Sequence, residues 1–431
     1  EAFRVSFWHV LAGWLALRCW RALWWLVRQL VTWLTVAALV AGFWLHGLFG
    51  MLGVYLVAAG LLVVSVAWRL LHAGSFRRVV AWPAIAWWRR YFVYGREWDQ
   101  LMATLGLSTT HRGEDRVPEL GRVKRTGTVE RVRVKTLAGH VLSDYASNAD
   151  RFAACFGAVD CRVRSVKRKV TGKVTQRVLD LWFLVTDPLV APVPLFEIAA
   201  NPNLKRLPVA LREDGLTWPL RLLGTHVLIA GVTGAGKGSV LWSLIRALGE
   251  AIRSRLVEVW AVDPKGGMEL AAGQPLFARY CYGDEATDTT EQRKQAYEVS
   301  FAEILEAAVE VMQERQARLR GRTRVHKPTE DDPLIVVVID ELASLTDYVT
   351  DREAKKRIGA ALQLLLSQGR ACGVVVVAAL QDPRKDVLPF RGLFPTRIGL
   401  RVSEPDEADL VLGKGMRDKG ARCDEISPDT P

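Results

Sequence analysis

Val227-Leu-Ile-Ala230, followed by Gly231-Val-Thr-Gly-Ala-Gly236-Lys237-Gly238-Ser239, decides the fold of this chain. Four apolar residues in a row read as a buried strand, and the glycines after them read as a phosphate loop that opens a helix. Backbone N–H groups of such a loop cradle phosphates, and the lysine reaches them as a point charge. Gly231, Val232, Thr233, Gly234, Ala235, Gly236, Lys237, Gly238 and Ser239 are therefore the candidate phosphate-binding residues. One position departs from the pattern G-x-x-x-x-G-K-[ST]: Gly238 stands where a hydroxyl normally ligates Mg²⁺. Ser239 lies about 100° further round the helix and does not simply substitute.

Downstream, the chain alternates helical and strand patterns. Ser239–Leu248 is an amphipathic helix, and Leu256–Val262 is a strand ending in Asp263-Pro-Lys-Gly-Gly-Met-Glu269. A charged helix over 291–320 precedes Leu334-Ile-Val-Val-Val-Ile-Asp340-Glu341, an apolar strand with two carboxylates at its end. Ligands of open α/β sheets bind at the C-terminal ends of strands. Asp340 is placed to hold Mg²⁺, and Glu341 to polarise an attacking water as general base. A helix over 353–369 and a strand over 373–379 lead to Gln381, positioned to sense a γ-phosphate. A last strand covers 396–402. The alternation predicts a mostly parallel, doubly wound sheet of the RecA-like kind.

The first hundred residues differ in kind. They hold twelve of the sixteen Trp, and no Lys, Arg, Asp or Glu occurs from Gln29 to Trp68. That run suits two membrane spans of about 20 residues each, placed near 29–45 and 49–68. Arg18, Arg21 and Arg28 flank one side, and Arg69, Arg77, Arg78, Arg89 and Arg90 the other. The positive-inside rule then puts both termini in the cytoplasm. Residues 3–27 read as an interfacial helix and 76–98 as a second surface-lying stretch. The polar stretch 99–120 reads as a linker.

From Gly121 the pattern alternates with period two, which predicts strands around Val123–Val129, Val132–Val134, Cys161–Arg164 and Leu179–Val185, with a helix over 148–156. This small α/β domain covers 121–200. Its basic residues Arg162, Arg164, Lys167, Arg168, Lys169, Lys173 and Arg177 could meet a phosphate backbone, although such runs are commonly solvated faces. The net charge of +12 suits a polyanionic partner, nucleic acid or anionic lipid. The six Cys form no CxxC pair, Cys155 and Cys161 are too isolated to suggest a metal site, and scattered single Cys imply a reducing compartment. The chain begins at Glu1 and stops at Pro431, so it reads as a fragment in which missing features carry no weight.

Taken in order, these segments resemble the FtsK/SpoIIIE family of DNA-pumping ATPases. His226–Gly231 with the loop is similar to its Walker A, Asp263-Pro-Lys265 with Met268-Glu-Leu270 to its Asp-Pro-Lys strand end, and Val338–Ala343 to its Walker B. Arg370-Ala-Cys-Gly373 and Phe394-Pro-Thr-Arg-Ile398 resemble two segments near its C-terminal end. The likeness covers roughly 120–430. Gly-Ala-Gly-Lys-Gly-Ser and Gln381-Asp-Pro-Arg-Lys-Asp386 look most like the actinobacterial conjugative transfer proteins of that family.

The resemblance implies a RecA-like P-loop motor over 201–431 that continues past the last residue, with ATP and Mg²⁺ as cofactors. It implies a homo-hexameric ring around double-stranded DNA and an arginine finger, for which Arg370, Arg397 and Arg401 are candidates. The expected activity is ATP hydrolysis coupled to DNA translocation from the inner membrane, moving plasmid or integrative-element DNA in conjugation. Membrane lipid is the second expected partner. A chromosome-segregation pump, a type VII protein-secretion ATPase and a non-enzymatic binding module are the alternatives. A single phosphate loop favours DNA over secretion, since secretion ATPases carry several motors in tandem. Two departures accompany Gly238: no long Pro/Gln-rich linker and no winged-helix domain are visible.

Overall fold

The computed structural model describes residues 40, 43–44, 46–47, 50–111, 114–167, 174–282, 290–382 and 390–428. They divide into two units, Glu1–Val185 and Thr186–Pro431. The expected interfacial helix over 3–27, its arginines, most of the expected span at 29–45, and Arg168, Lys169 and Lys173 lie outside the described residues.

In the first unit, helix α1 (Met51–Leu71) carries no acidic residue, and its only basic residue is Arg69 in the last turn. With a mean hydropathy of 2.2 over its best window, it is long and apolar enough to cross a membrane. Among the described residues it is the one helix of that kind, so a two-span anchor is not shown.

The next segment, read from sequence as a surface-lying stretch and a linker, keeps Trp87, Trp88, Tyr91 and Phe92 exposed but turns other residues into a core. Residues 73–104 are helical throughout, ending in α2 (Gly95–Thr104). Tyr94, Trp98 and Met102 are buried in the core of the first unit, together with Phe152, Phe156, Leu181 and Phe183. That core lies on a four-stranded antiparallel sheet of β1 (Glu119–Thr126), β2 (Val129–Lys135), β3 (Asp160–Lys167) and β4 (Val174–Leu184), in the order β1-β2-β4-β3. Helix α3 (Ala149–Phe156) ends at Gly157, whose φ of 64° is the left-handed turn that glycine permits.

Arg89 reads from sequence as a membrane flank, yet its Nε donates to Glu130 Oε2 at 2.7 Å. Glu130 is fully buried on the sheet and also accepts from Tyr94 Oη at 2.6 Å and Arg125 Nη1 at 2.9 Å. A buried carboxylate is tolerable only when paired in this way. The pairing fastens the Trp-rich helical run to the sheet, which is why the tryptophans there are partly a core signal and not wholly an interfacial one.

The second unit opens with a hairpin, β5 (Leu207–Leu211) and β6 (Thr217–Leu220). Its main sheet has six parallel strands: β7 (Val227–Ala230), β8 (Val257–Val262), β9 (Phe277–Cys281), β10 (Leu334–Ile339), β11 (Val374–Leu380) and β12 (Thr396–Gly399). Their spatial order is β9-β8-β10-β11-β7-β12. Helices α4 (Lys237–Arg253), α5 (Thr290–Leu319) and α6 (Arg352–Gln368) cover the faces. Strands β7, β10 and β11 are buried at every residue, as parallel strands covered on both faces must be. The mixed α/β class with a large parallel sheet is thus as expected. Strand β9 was not expected.

Because all six strands run the same way, their C-terminal ends share one edge. Ala230 pairs with Leu380 and with Gly399, and Val262 pairs with Ile339. The next residue on each strand therefore emerges at that edge.

His226, just before β7, is fully buried, and its Nδ1 accepts the Val376 N–H at 2.9 Å. Burial, with the nearby Arg370 charge adding to it, pushes its pKa down to about 4. An unfolded His titrates at about 6.5, so as pH falls through that value the unfolded chain takes up a proton that the native one refuses. Stability contributed here is complete above about pH 6.5 and falls as pH drops towards 4, by about 3 kcal/mol in all. Urea unfolding of wild type and His226→Gln across pH 7 to 4 should show the difference between them shrinking over that window. A constant difference would refute the assignment.

Candidate functional site

The phosphate loop leaves β7 at Gly231 and enters α4 at Lys237. Gly234 and Gly236 have φ of 74° and 88°, conformations that a side chain would strain. Gly231 is required for space: a Cβ there would lie 2.8 Å from Leu400 Cβ and 3.1 Å from the Arg401 carbonyl. Val232 N–H donates to the Arg401 carbonyl at 2.9 Å, which fixes the loop against the chain leaving β12. The first N–H groups of α4 have no intrahelical acceptor and open onto the loop.

Lys237 is buried, and its Nζ donates to the carbonyls of Gly231 and Val232, both at 2.9 Å. An ammonium has three donors, so one is left for a ligand. Burial lowers its pKa, while Glu341 pulls the other way.

Across the edge, β10 ends in Asp340 and Glu341, both buried. Glu341 Oε1 accepts the N–H of Gln381 at 3.3 Å and that of Ala343 at 3.4 Å. Glu341 Oε2 and Asp340 Oδ2 are buried and make no hydrogen bond. Desolvation pushes both carboxyls up from their ordinary pKa values, and Lys265 opposes it. The Gln381 side chain reaches the other way, its Oε1 accepting from Thr233 Oγ1 at 3.0 Å. Gln381 therefore touches the carboxylate strand with its backbone and the phosphate loop with its side chain.

Sequence reasoning did not single out Lys265 as a site residue. Its Nζ lies 3.0 Å from Asp340 Oδ2 and 3.8 Å from Glu341 Oε2 as an ion pair outside hydrogen-bonding geometry. Asp263 places it. This fully buried carboxylate accepts N–H groups from Lys265 at 3.2 Å, Glu269 at 2.9 Å and Leu270 at 2.8 Å. The usable signal was an Asp-Pro-Lys strand end on β8, the strand that neighbours β10.

The arginines are spread out. Arg401 Nη2 donates to the Thr233 carbonyl at 3.3 Å, beside the loop. Arg397 is occupied within its own unit, donating from Nε to the Phe394 carbonyl at 3.1 Å and from Nη1 to that of Val411 at 3.3 Å. Arg370 is exposed before β11, at the opposite edge of the sheet. A small cleft of about 130 Å³ between Lys265, Glu341, Tyr348 and Gln381 marks the carboxylate side. A wider one of about 350 Å³, lined by Gln316, Arg320 and Cys372, lies at the opposite edge, away from these groups.

The donor set fits a hard divalent cation, since two buried carboxylate oxygens make no hydrogen bond and have only the Lys265 ammonium as an ion-pair partner. Among the described residues, no three acidic, His or Cys groups converge closely enough to hold a metal unaided. That suits an ion which takes most of its ligands from phosphates and water.

No protein-family model matches the sequence. The chain is 26% identical to the transfer protein TraSA of Streptomyces ambofaciens over 340 residues, covering 74% of this chain and 75% of that one. It is 26% identical to the DNA translocase FtsK of Staphylococcus aureus over 234 residues, covering 51% of this chain but 28% of the relative. The chain thus spans little more than a quarter of that FtsK. A structure of the pCW3 conjugation coupling protein TcpA with ATPgS aligns over 75% of this chain and 88% of its own, with 18% identity and a TM-score of 0.45. The likeness to FtsK-type translocases and transfer proteins that the ordered motifs express is matched by these sequence relatives.

Proposed function

From that likeness and the strand-end geometry, we propose that the chain is an ATP-driven translocase of double-stranded DNA. In this reading a membrane holds it, and it moves plasmid or integrative-element DNA in conjugation. One observation carries the catalytic part: Gln381 joins the phosphate loop to Glu341, so the groups that would hold phosphates and the carboxylate that would activate water form one bonded unit.

The proposed roles follow from the contacts. The loop residues 231–239 and Lys237 bind the phosphates. Glu341, with Oε2 left without a hydrogen bond, accepts a proton from water. Asp340 would hold Mg²⁺, which supplies positive charge to the phosphate oxygens. Lys265 keeps the charge of the two carboxylates balanced. Arg401, Arg397 and Arg370 are the reserve of fingers for a neighbouring subunit in a homo-hexameric ring. Helix α1 supports the membrane reading, with the anchor ending near Leu71 and the motor on the cytoplasmic side of the inner membrane.

The test is ATP turnover by the full chain in detergent, with and without duplex DNA. We expect turnover to rise severalfold with duplex and the stimulation to fade as salt rises, because phosphate contacts release counterions. Turnover that no duplex changes at low salt would remove DNA from the proposal.

A further inference from the structure

Gly238 is the second residue of α4 and replaces the hydroxyl that phosphate loops normally offer to the nucleotide's cation. The space beside it is not empty. A Cβ on Gly238 would lie 3.2 Å from Glu269 Oε2. A serine hydroxyl, one bond further out, would contend with that carboxylate oxygen for the same small volume.

The backbone at Glu269 is held from two sides. Its N–H donates to Asp263 Oδ2 at 2.9 Å, and its carbonyl accepts from Trp242 Nε1 at 3.3 Å. Trp242 is itself on α4, so the loop and the helix are fastened together at this point. The side chain is exposed towards the loop. It is close enough to Lys237, Lys265 and Asp340 for its charge to act on all three. A second, independent observation points to a cation. Asp340 is 3% exposed, and its Oδ2, which makes no hydrogen bond, has the Lys265 ammonium at 3.0 Å as its ion-pair partner, a place that a divalent cation can take over.

We propose that Glu269 supplies, from the loop after β8, the oxygen ligand that α4 lacks at Gly238, holding the nucleotide's divalent cation together with Asp340, the phosphates and water. The assignment rests on the phosphate-binding reading above. A carboxylate in place of a hydroxyl adds one negative charge, and Lys237 and Lys265 stand nearby to offset it. Glycine at 238 is then the residue that makes room for Glu269, and the two positions are complementary. A divalent cation that takes one or two carboxylates and several waters fits such a mixed shell.

The experiment uses the full chain in detergent, with ADP and Mn²⁺ as probes and free Mn²⁺ read by electron paramagnetic resonance. ADP binding is measured in parallel in EDTA. Glu269→Ala is expected to weaken Mn²⁺ affinity of the ADP complex by about 10-fold or more, the order seen when a group supporting a metal is lost. ADP binding in EDTA should hold, which also reports that the variant is folded. The double variant Glu269→Ala with Gly238→Ser should regain part of the lost affinity, and Gly238→Ser alone should not improve on wild type.

Unchanged Mn²⁺ affinity in Glu269→Ala would overturn the proposal while leaving the nucleotide reading intact. So would a double variant no better than Glu269→Ala, or an equal loss of ADP binding in EDTA. Failure of the wild-type chain to bind ADP under any condition would instead remove the nucleotide reading itself.

Discussion

Glu341→Gln is expected to lower ATP turnover by about 10²- to 10⁴-fold, the range a positioned general base contributes, while nucleotide affinity stays nearly unchanged. The two outcomes separate because the two oxygens of Glu341 do different work. Oε1 accepts N–H groups from Ala343 and Gln381, and a glutamine carbonyl can take over that task. Oε2 makes no hydrogen bond, and there the amide loses the ability to accept a proton along with the ion pair to Lys265. Burial raises the Glu341 pKa, which strengthens it as a base. Single-turnover hydrolysis and equilibrium binding of ATP check the split. Equal loss in both would mean that Glu341 is a structural member and that the base lies elsewhere. Glu341→Ala is the harsher comparison, since it leaves two N–H groups without their acceptor.

Lys237→Ala should cost about 10²- to 10³-fold in turnover, the scale of removing one preorganised charge donor from a transition state. It should also weaken nucleotide binding, unlike the change at Glu341. Lys237 has a second role, because its Nζ bonds close the loop onto the carbonyls of Gly231 and Val232. Lys237→Arg separates the roles. It keeps the charge, but a planar fork does not match a buried site made for a compact ammonium. Both variants are therefore expected to fail in binding. If Lys237→Arg bound ATP normally, the carbonyl contacts would matter less than the charge. Retention of turnover in Lys237→Ala would refute the phosphate reading of the loop.

The parts of this fold that the sequence makes visible are those with strong local signals. Strands β10 and β11 are unbroken apolar runs, and each leads into a candidate site residue at its end. Strand β9, Phe-Ala-Arg-Tyr-Cys, is an edge strand with half-exposed residues, and its short mixed pattern resembles a loop. Trp82 to Trp98 is ambiguous because a half-buried aromatic helix and an interfacial one share a composition. What distinguishes them is Glu130, forty-one residues from Arg89, and no periodicity reports a contact at that range. Lys265 and Glu269 are hidden for a different reason. Their positions follow from Asp263 gathering three backbone N–H groups, a local knot that neither helix nor strand spacing describes. The loop itself is legible residue by residue, yet the neighbour of Gly238 is not.

The hydrogen bond between Glu341 Oε1 and the Gln381 N–H has a mechanical side. A carboxylate that takes up a proton becomes a poorer acceptor, since charge-assisted hydrogen bonds are about twice as strong as neutral ones. The proton that ends each hydrolysis would thus slacken the latch holding the end of β11. Gln381 also grips Thr233 of the loop, so a change of one charge at Glu341 reaches two backbone segments at once. In the proposed engine, which must turn chemistry into displacement, this carboxylate would be the ratchet pawl as well as the base.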